Sequence, residues 1–273
     1  MPRPFRPPLR HHPKTQTPAQ PMGRYDASGD PPLMIPAVTL EEPLQFDADF
    51  ARRLIRRDVS FREAFTVRDR TGVCFRASVK ELTTDGGIAV PYERLDRSPE
   101  STVEITLACA VLARQRMIFI MQKATELGVA RIVPLLTDHS VPAGGLEHEK
   151  AHAWPGQIIR AAKQCRRSSL PEVLLPARLK AFLASPLVDA ADLCVYLDDR
   201  AEPASPPTVL PHRIVLVAGP EGGFSDTERE AIRSRALPLV LGGRVLRAET
   251  AVIVGLTAIH LRWGDFRTDQ PLI

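Results

Sequence analysis

Apolar runs of strand length alternate with helix-like segments from residue 102 onward. These runs cover residues 102–113, 130–136, 193–197, 213–218 and 237–241. They lack the alternation of apolar and polar residues that is typical of a half-exposed strand. The segments between them predict helices at 116–127, 148–167, 226–235 and 251–263. Strands that are apolar on both faces are typical of parallel sheets covered by helices. The sequence therefore predicts an α/β fold built on a mostly parallel sheet.

Two further regions precede this α/β region. Residues 1–43 hold 11 of the 26 prolines and almost no periodic apolar pattern, which predicts a disordered extension. Short β-like segments bounded by turn residues follow, at 63–68, 72–81 and 88–92, beside a helix predicted at 47–57. We therefore expect a small β-rich domain at 44–101 and an α/β domain at 102–268.

The composition argues against several classes of protein. The longest nearly unbroken apolar runs, 105–113 and 251–259, are far shorter than the roughly 20 residues of a membrane span. No apolar segment follows the N-terminal arginines as in a secretory signal, so we expect a cytoplasmic protein. The four cysteines form no C-x-x-C pair, which predicts reduced structural thiols rather than a disulfide framework or a zinc cage.

The distribution of charge is more informative than its sum. The chain has 36 basic and 32 acidic residues, a formal charge of +4. Residues 1–24 contain no acidic residue, and residues 160–180 contain only Glu172. Both segments are candidate contacts for a polyanion, and the alternative is a solvated tail and a solvated helix face.

A glycine-rich turn follows the predicted strand at 213–218. It reads Gly219-Pro-Glu-Gly-Gly223, and Ser225 with Glu228 then predicts a capping box that opens the next helix. Ligands of open α/β sheets bind where strands end in such turns, and glycine lets backbone groups approach them closely. The turn is neither G-x-G-x-x-G nor a P-loop, so a nucleoside triphosphate is not expected. A plain tight turn is the alternative.

A second such turn precedes the last predicted helix. It reads Leu241-Gly-Gly-Arg-Val-Leu-Arg247, and Thr250 is a candidate helix cap. Arg244 and Arg247 beside a helix N-terminus would favour a phosphate or a developing anion. The alternative is that Arg247 and Glu249 pair with each other on the surface.

The chain resembles the RsmE family of 16S ribosomal RNA methyltransferases in four segments. They are the two turns, Glu249-Thr-Ala251 and the earlier Gln122-Lys-x-x-Glu-Leu-Gly-Val129. The resemblance implies the SPOUT class, with a C-terminal trefoil knot, a PUA-like β-barrel domain before it and a homodimeric state. It also implies S-adenosylmethionine as cofactor, no metal, and methylation of uridine N3 in the small ribosomal subunit.

The resemblance also assigns roles to individual residues. The implied cofactor pocket consists of Leu197, Gly219, Pro220, Glu221, Gly222, Gly223, Leu241, Gly242, Val245 and Leu246. Arg247 would stabilise charge on the uracil oxygens, and Glu249 or Glu221 would accept the N3 proton. The candidate RNA contacts are Arg56, Lys123, Arg160, Lys163, Arg167 and Arg244.

The chain departs from the family pattern at five positions: Phe50, Ser60, Ile118, Lys163 and Ala248. Since four of them lie outside the cofactor turns, we expect an intact cofactor pocket and RNA contacts that have changed.

Two other functions are compatible with the sequence. His148-Glu-x-x-His152 matches the zinc-protease pattern, but its polar flanks and the nearby Pro155 disfavour a buried metal-binding helix. A non-catalytic RNA-binding protein with the same fold is the other alternative, and failure to bind S-adenosylmethionine would favour it.

Overall fold

In a computed structural model, the chain is described over residues 29–199, 201–202 and 209–266, which contain two sheets. The elements of the small domain are β1 (Met34–Ile35), β2 (Leu44–Asp47), α1 (Ala48–Arg56), β3 (Ala64–Asp69), β4 (Cys74–Leu82) and β5 (Gly86–Arg94). Its five strands have the order β1-β3-β4-β5-β2, with β1 parallel to β3 and the other pairs antiparallel.

The core of the small domain explains why these segments form strands and a helix. Asp47 caps α1 by accepting a hydrogen bond from the Phe50 amide at 2.9 Å. Leu54 on α1 and Val67 and Val79 on the sheet are fully buried. These three side chains belong to one apolar core between α1 and the sheet.

The expected disorder of residues 1–43 is wrong for the part that the structure describes. Leu33 is fully buried, and Met34–Ile35 adds a strand to the sheet. Tertiary pairing of such a short strand leaves no periodic signal in a proline-rich sequence. Residues 1–28 lie outside the described residues.

The large domain contains the predicted strand and helix alternation. Its elements are β6 (Glu104–Ala110), α2 (Arg114–Glu126), β7 (Arg131–Leu136), α3 (Trp154–Gln164), β8 (Glu172–Val173), β9 (Ala177–Arg178), α4 (Leu179–Leu183), α5 (Pro186–Asp189), β10 (Leu193–Leu197), β11 (Arg213–Ala218), α6 (Asp226–Arg233), β12 (Leu237–Leu239) and α7 (Ala248–Arg262). All strand pairs are parallel, in the order β12-β10-β11-β6-β7-β8, and β9 also pairs with β7. The prediction of an α/β fold with a parallel sheet is confirmed.

Helices cover both faces of this sheet. Leu107 on β6 packs into a core with α2, α3 and α7, whereas the adjacent Ala108 faces a second core with α4 and α6. None of the helices in the described ranges combines the length and apolar composition needed to cross a bilayer.

Two helix boundaries differ from the prediction. The helix predicted at 148–167 begins only at Trp154, because Lys150 has a left-handed backbone (φ 53°) and a 3-10 turn occupies Ala151–Ala153. The last helix begins at Ala248, with Arg247 rather than Thr250 at its N-cap position. Thr250 is therefore inside the helix and the predicted cap is wrong.

An ion pair with a buried arginine fixes the segment between the two domains to the large domain. Glu100, in the connection between β5 and β6, accepts hydrogen bonds from Arg167 at 2.7 Å and from the Ser168 amide at 2.7 Å. Arg167 also donates to the carbonyls of Thr125 and Val129, at the end of α2. The pair thus connects the interdomain segment to both α2 and the loop after α3.

We predict that Glu100→Gln lowers the free energy of unfolding at pH 7 by about 3–5 kcal/mol, because Arg167 is left buried without a counter-charge. Burial by itself would raise the pKa of Glu100, but Arg167 and the hydrogen bond from Ser169 lower it from 4.5 to about 2. The stabilisation is therefore present above pH 4.5 and is lost as the pH falls towards 2. Urea unfolding between pH 2 and 7 measures both effects.

The control for this prediction is Asp49→Asn, which breaks the exposed pair with Arg52. It should change the stability by less than about 0.5 kcal/mol. Equal stability of Glu100→Gln and the parent protein would show that the pair is not needed for the fold.

Candidate active site at the carboxyl edge of the parallel sheet

One cavity of about 280 Å³ lies where β10 and β11 end. The structure brings to it all ten residues of the implied cofactor pocket, together with Arg244. Its wall also includes residues that sequence reasoning did not select: Ala218, Asp198, Asp199, Phe224, Arg229, Leu239, Ala248 and Ala251. The geometry makes these ten residues neighbours, while their role in binding a cofactor stays a prediction.

The first glycine-rich turn is supported on both sides. Gly219 lies against the ring of Phe224, and Gly223 has a left-handed backbone (φ 72°) that favours glycine. His139 contacts the Gly223 carbonyl through Nδ1 at 3.0 Å. The capping box of Ser225 and Glu228 is confirmed at the start of α6.

The second turn is more exposed. Gly242 has φ 95°, and Val245 is 86% exposed although it lines the cavity. A turn that exposes apolar side chains at a cavity can cover a bound molecule with them.

A buried acid lies beside the two turns. Asp198 follows β10 directly, and its carboxylate accepts a hydrogen bond from Arg229 Nη1 at 2.9 Å. Arg229 Nε also donates to the Phe224 carbonyl at 3.2 Å. The pair fixes the strand end to α6, and the signal that could have found it is an acidic residue placed immediately after a buried strand.

Two of the three candidate catalytic residues, Glu221 and Glu249, flank a cation that the sequence analysis missed. Arg116, in the first turn of α2, forms an ion pair with Glu221 and lies 3.9 Å from Glu249 Oε2. That oxygen of Glu249 is buried and has no hydrogen-bond partner within the described ranges. Arg247 is exposed and forms no ion pair with Glu249 in this part of the chain. The surface pair considered as an alternative is therefore not formed.

The candidate RNA contacts separate into two groups. Arg56, Arg160 and Arg244 are exposed. Lys123 pairs with Glu126 within α2. Lys163 pairs with Glu63 at 2.8 Å, and the hydrogen bond to Glu63 raises the pKa of Lys163.

Arg167 cannot contact RNA in this structure. Its side chain is 4% exposed, and its guanidinium is occupied by Glu100 and by two carbonyl groups. This prediction is corrected, because a long-range ion pair gives no local sequence signal.

The departures from the family pattern are mostly in structural positions. Phe50 is buried and stacks near Phe46 at 5.1 Å, and Ala248 is also buried. Ser60 and Lys163 both donate to the same oxygen of Glu63. These changes therefore adjust packing and a contact between the loop after α1 and α3.

The zinc-protease alternative finds no support in the geometry. His148 and His152 are both exposed and lie outside any α-helix. Glu149 accepts a hydrogen bond from the Arg114 amide at 2.5 Å. The described residues contain no group of three or more His, Cys, Asp or Glu side chains that could hold a metal ion.

Comparison with known proteins gives a consistent result. Residues 99–260 match the model of the RNA methyltransferase domain family. Ribosomal RNA small subunit methyltransferase E of Buchnera aphidicola is 28% identical, over 75% of this chain and 84% of that protein. The protein of the same name from Synechocystis sp. is 32% identical, over 72% of this chain and 66% of that protein.

Solved structures agree with the sequence matches. The structure of ribosomal RNA small subunit methyltransferase E from Neisseria gonorrhoeae, bound to S-adenosyl methionine, is similar with a TM-score of 0.63 and 25% identity. The match covers 86% of this chain and 99% of that one.

We predict that Gly219→Ala destabilises the protein by about 1–3 kcal/mol, because an added Cβ would lie 3.0 Å from the Phe224 ring, which is itself buried. Urea unfolding measures the change. Gly243→Ala is the control, since its Cβ would meet no described atom within 4 Å. Unchanged stability of Gly219→Ala would mean that the turn does not depend on this close approach.

Proposed function

This chain belongs to the RNA methyltransferase family, within the RsmE group, and we propose that it transfers the methyl group of S-adenosylmethionine to N3 of a uridine in 16S ribosomal RNA. The observation that carries the proposal is the convergence of ten family-implied residues on one cavity beside two acidic side chains. In this proposal the protein acts in the cytoplasm, with the small ribosomal subunit as its partner.

In this proposal the large domain is a SPOUT domain with a C-terminal trefoil knot. The return of α7 onto α2, β10 and β11 after the second turn supports this arrangement. The small domain, residues 30–101, is a PUA-like RNA-binding domain, and its mixed five-stranded sheet with α1 is compatible with that role.

The residues of the cavity fit the cofactor. Gly219, Gly222 and Gly242 leave backbone donors and acceptors uncovered, and Leu197, Leu241 and Leu246 supply apolar walls. The bound cofactor supplies an electrophilic methyl group on a sulfonium centre. No metal takes part in this proposal.

In this proposal an acidic side chain accepts the proton of the uridine, and basic side chains stabilise the negative charge that develops. Uridine N3 carries a proton that must leave as the methyl group arrives. Both candidate acceptors pair with Arg116, but Glu249 is favoured over Glu221, because Glu249 Oε2 is 3.9 Å from Arg116 Nε and accepts no hydrogen bond within the described residues. Two cations could stabilise charge on the uracil oxygens: Arg116, which pairs with both acids, and Arg247, at the N-cap of α7 two residues before Glu249.

The surface around α7 favours a homodimer. Val254 and Leu261 on α7 and Phe119 on the adjoining α2 are exposed, at 37%, 43% and 40%. A helix that is apolar on its buried and exposed faces alike is expected to pack on both. In this proposal a second copy packs on this face and completes the substrate site.

We predict that the purified protein, with S-adenosylmethionine and small-subunit particles lacking uridine methylation, produces N3-methyluridine detectable by nucleoside mass spectrometry. Glu249→Gln should lower the turnover rate by roughly 10²–10⁴ while leaving cofactor affinity unchanged, because only proton transfer is lost. Calorimetric titration with S-adenosylmethionine measures that affinity.

Glu147→Gln, an exposed acid outside the cavity, is the matched control. No methylated nucleoside despite cofactor binding would refute uridine methylation. Loss of both methylation and cofactor binding would favour the non-catalytic RNA-binding alternative.

We also predict that Val254→Lys yields an inactive monomer, since a charged side chain in an apolar interface opposes association. Sedimentation velocity gives the oligomeric state, and the same methylation assay gives the activity. Leu175→Lys, on an exposed loop, should remain dimeric and active. A fully active monomer would contradict the proposal that the partner completes the site.

A further inference from the structure

The charged residues that line a narrow cleft between the small sheet and α3 are all cations. Five basic side chains line it, and its lining contains no acidic residue: Arg57, Arg76, Lys163, Arg166 and Arg167. The cleft encloses about 20 Å³, room for a single water-sized group.

Three of these cations have a counter-charge. Arg57 pairs with Asp30 at 2.6 Å, and Lys163 and Arg167 pair with the acids described above. Arg76 and Arg166 form no ion pair with any residue in the described ranges. The positive charge of the cleft is therefore concentrated on these two arginines.

Arg76 is buried with part of its bonding capacity unused. It is 6% exposed, and Nη1 donates to Thr66 Oγ1 at 2.6 Å and weakly to the Arg166 carbonyl at 3.4 Å. Its Nε is buried and has no hydrogen-bond partner in the described part of the chain. Burial and the charge of Arg166 lower the pKa of Arg76. Its cross-strand neighbour Glu93 is exposed and forms no ion pair with it.

Arg166 holds a backbone conformation that ordinarily selects glycine. It follows the C-cap of α3 with φ 63°, and the Arg167 amide bonds back to the Ala162 carbonyl, as in a Schellman motif. An arginine there is strained where glycine would not be. Its exposed side chain lies at the cleft beside Arg76.

We propose that the mouth of this cleft binds a phosphate of the RNA backbone, with Arg166 as the outer donor and Arg76 as the inner one. The small cavity admits one phosphate oxygen while the remaining oxygens face Arg166. This inference rests on the proposed RNA substrate, and it adds a contact that spans both domains and fixes the small domain on the RNA.

The test is Arg166→Gly in the full chain, measured by binding to a labelled 16S ribosomal RNA transcript at several salt concentrations. Removing one phosphate contact should weaken binding about five- to tenfold and reduce the slope of log K against log salt by about one. The thermal midpoint should stay the same or rise, because glycine relieves the left-handed backbone. A loss of affinity therefore cannot be attributed to unfolding.

Arg62→Gly is the matched control, since Arg62 also has a left-handed backbone (φ 65°), is exposed and lies outside the cleft. It should change RNA affinity less than twofold. Equal losses in both variants, or an unchanged affinity and salt slope in Arg166→Gly, would overturn the phosphate site. If the parent protein binds S-adenosylmethionine but no 16S RNA, the proposed substrate fails as well.

Discussion

The ion pair between Glu100 and the buried Arg167 anchors the segment that connects the two domains. It joins the interdomain segment, the end of α2 and the loop after α3, three segments that no sheet pairing holds together. A buried charge is tolerated only with its partner, so loss of either residue leaves an uncompensated ion. Because α2 also carries Arg116 and packs against α7, this pair indirectly positions the acids of the candidate site.

The glycine turns shape the cavity of the candidate site, and charged side chains lie beside it. Glycines at the two turns permit left-handed conformations and close contacts, so the strand ends enclose a cavity without side chains filling it. Glu221 and Glu249 come from different turns and share Arg116. Within the described residues, Glu249 Oε2 accepts no hydrogen bond and lies 3.9 Å from Arg116 Nε, which is why Glu249 is the proposed proton acceptor.

The distribution of counter-charges decides which basic residues remain for a polyanion. Residues 160–180 form a basic segment in the sequence, but Lys163 and Arg167 are neutralised within the fold. Arg166, their neighbour, and Arg76, from a distant strand, form no ion pair with any other described residue. Local charge density alone therefore does not show which arginines of this segment have a counter-charge in the fold.

The sequence by itself determined the parallel sheet, most helix positions, the two glycine turns and the capping box, because apolar periodicity and the conformational freedom of glycine act locally. The ten residues that the resemblance implied for the pocket line one cavity in the structure, and their role in cofactor binding stays a prediction. The tertiary structure alone decided the pairing of Met34–Ile35, the burial of Arg167 and the place of Arg116 between two acids. Each of these depends on contacts between residues far apart in the chain, which no local pattern encodes.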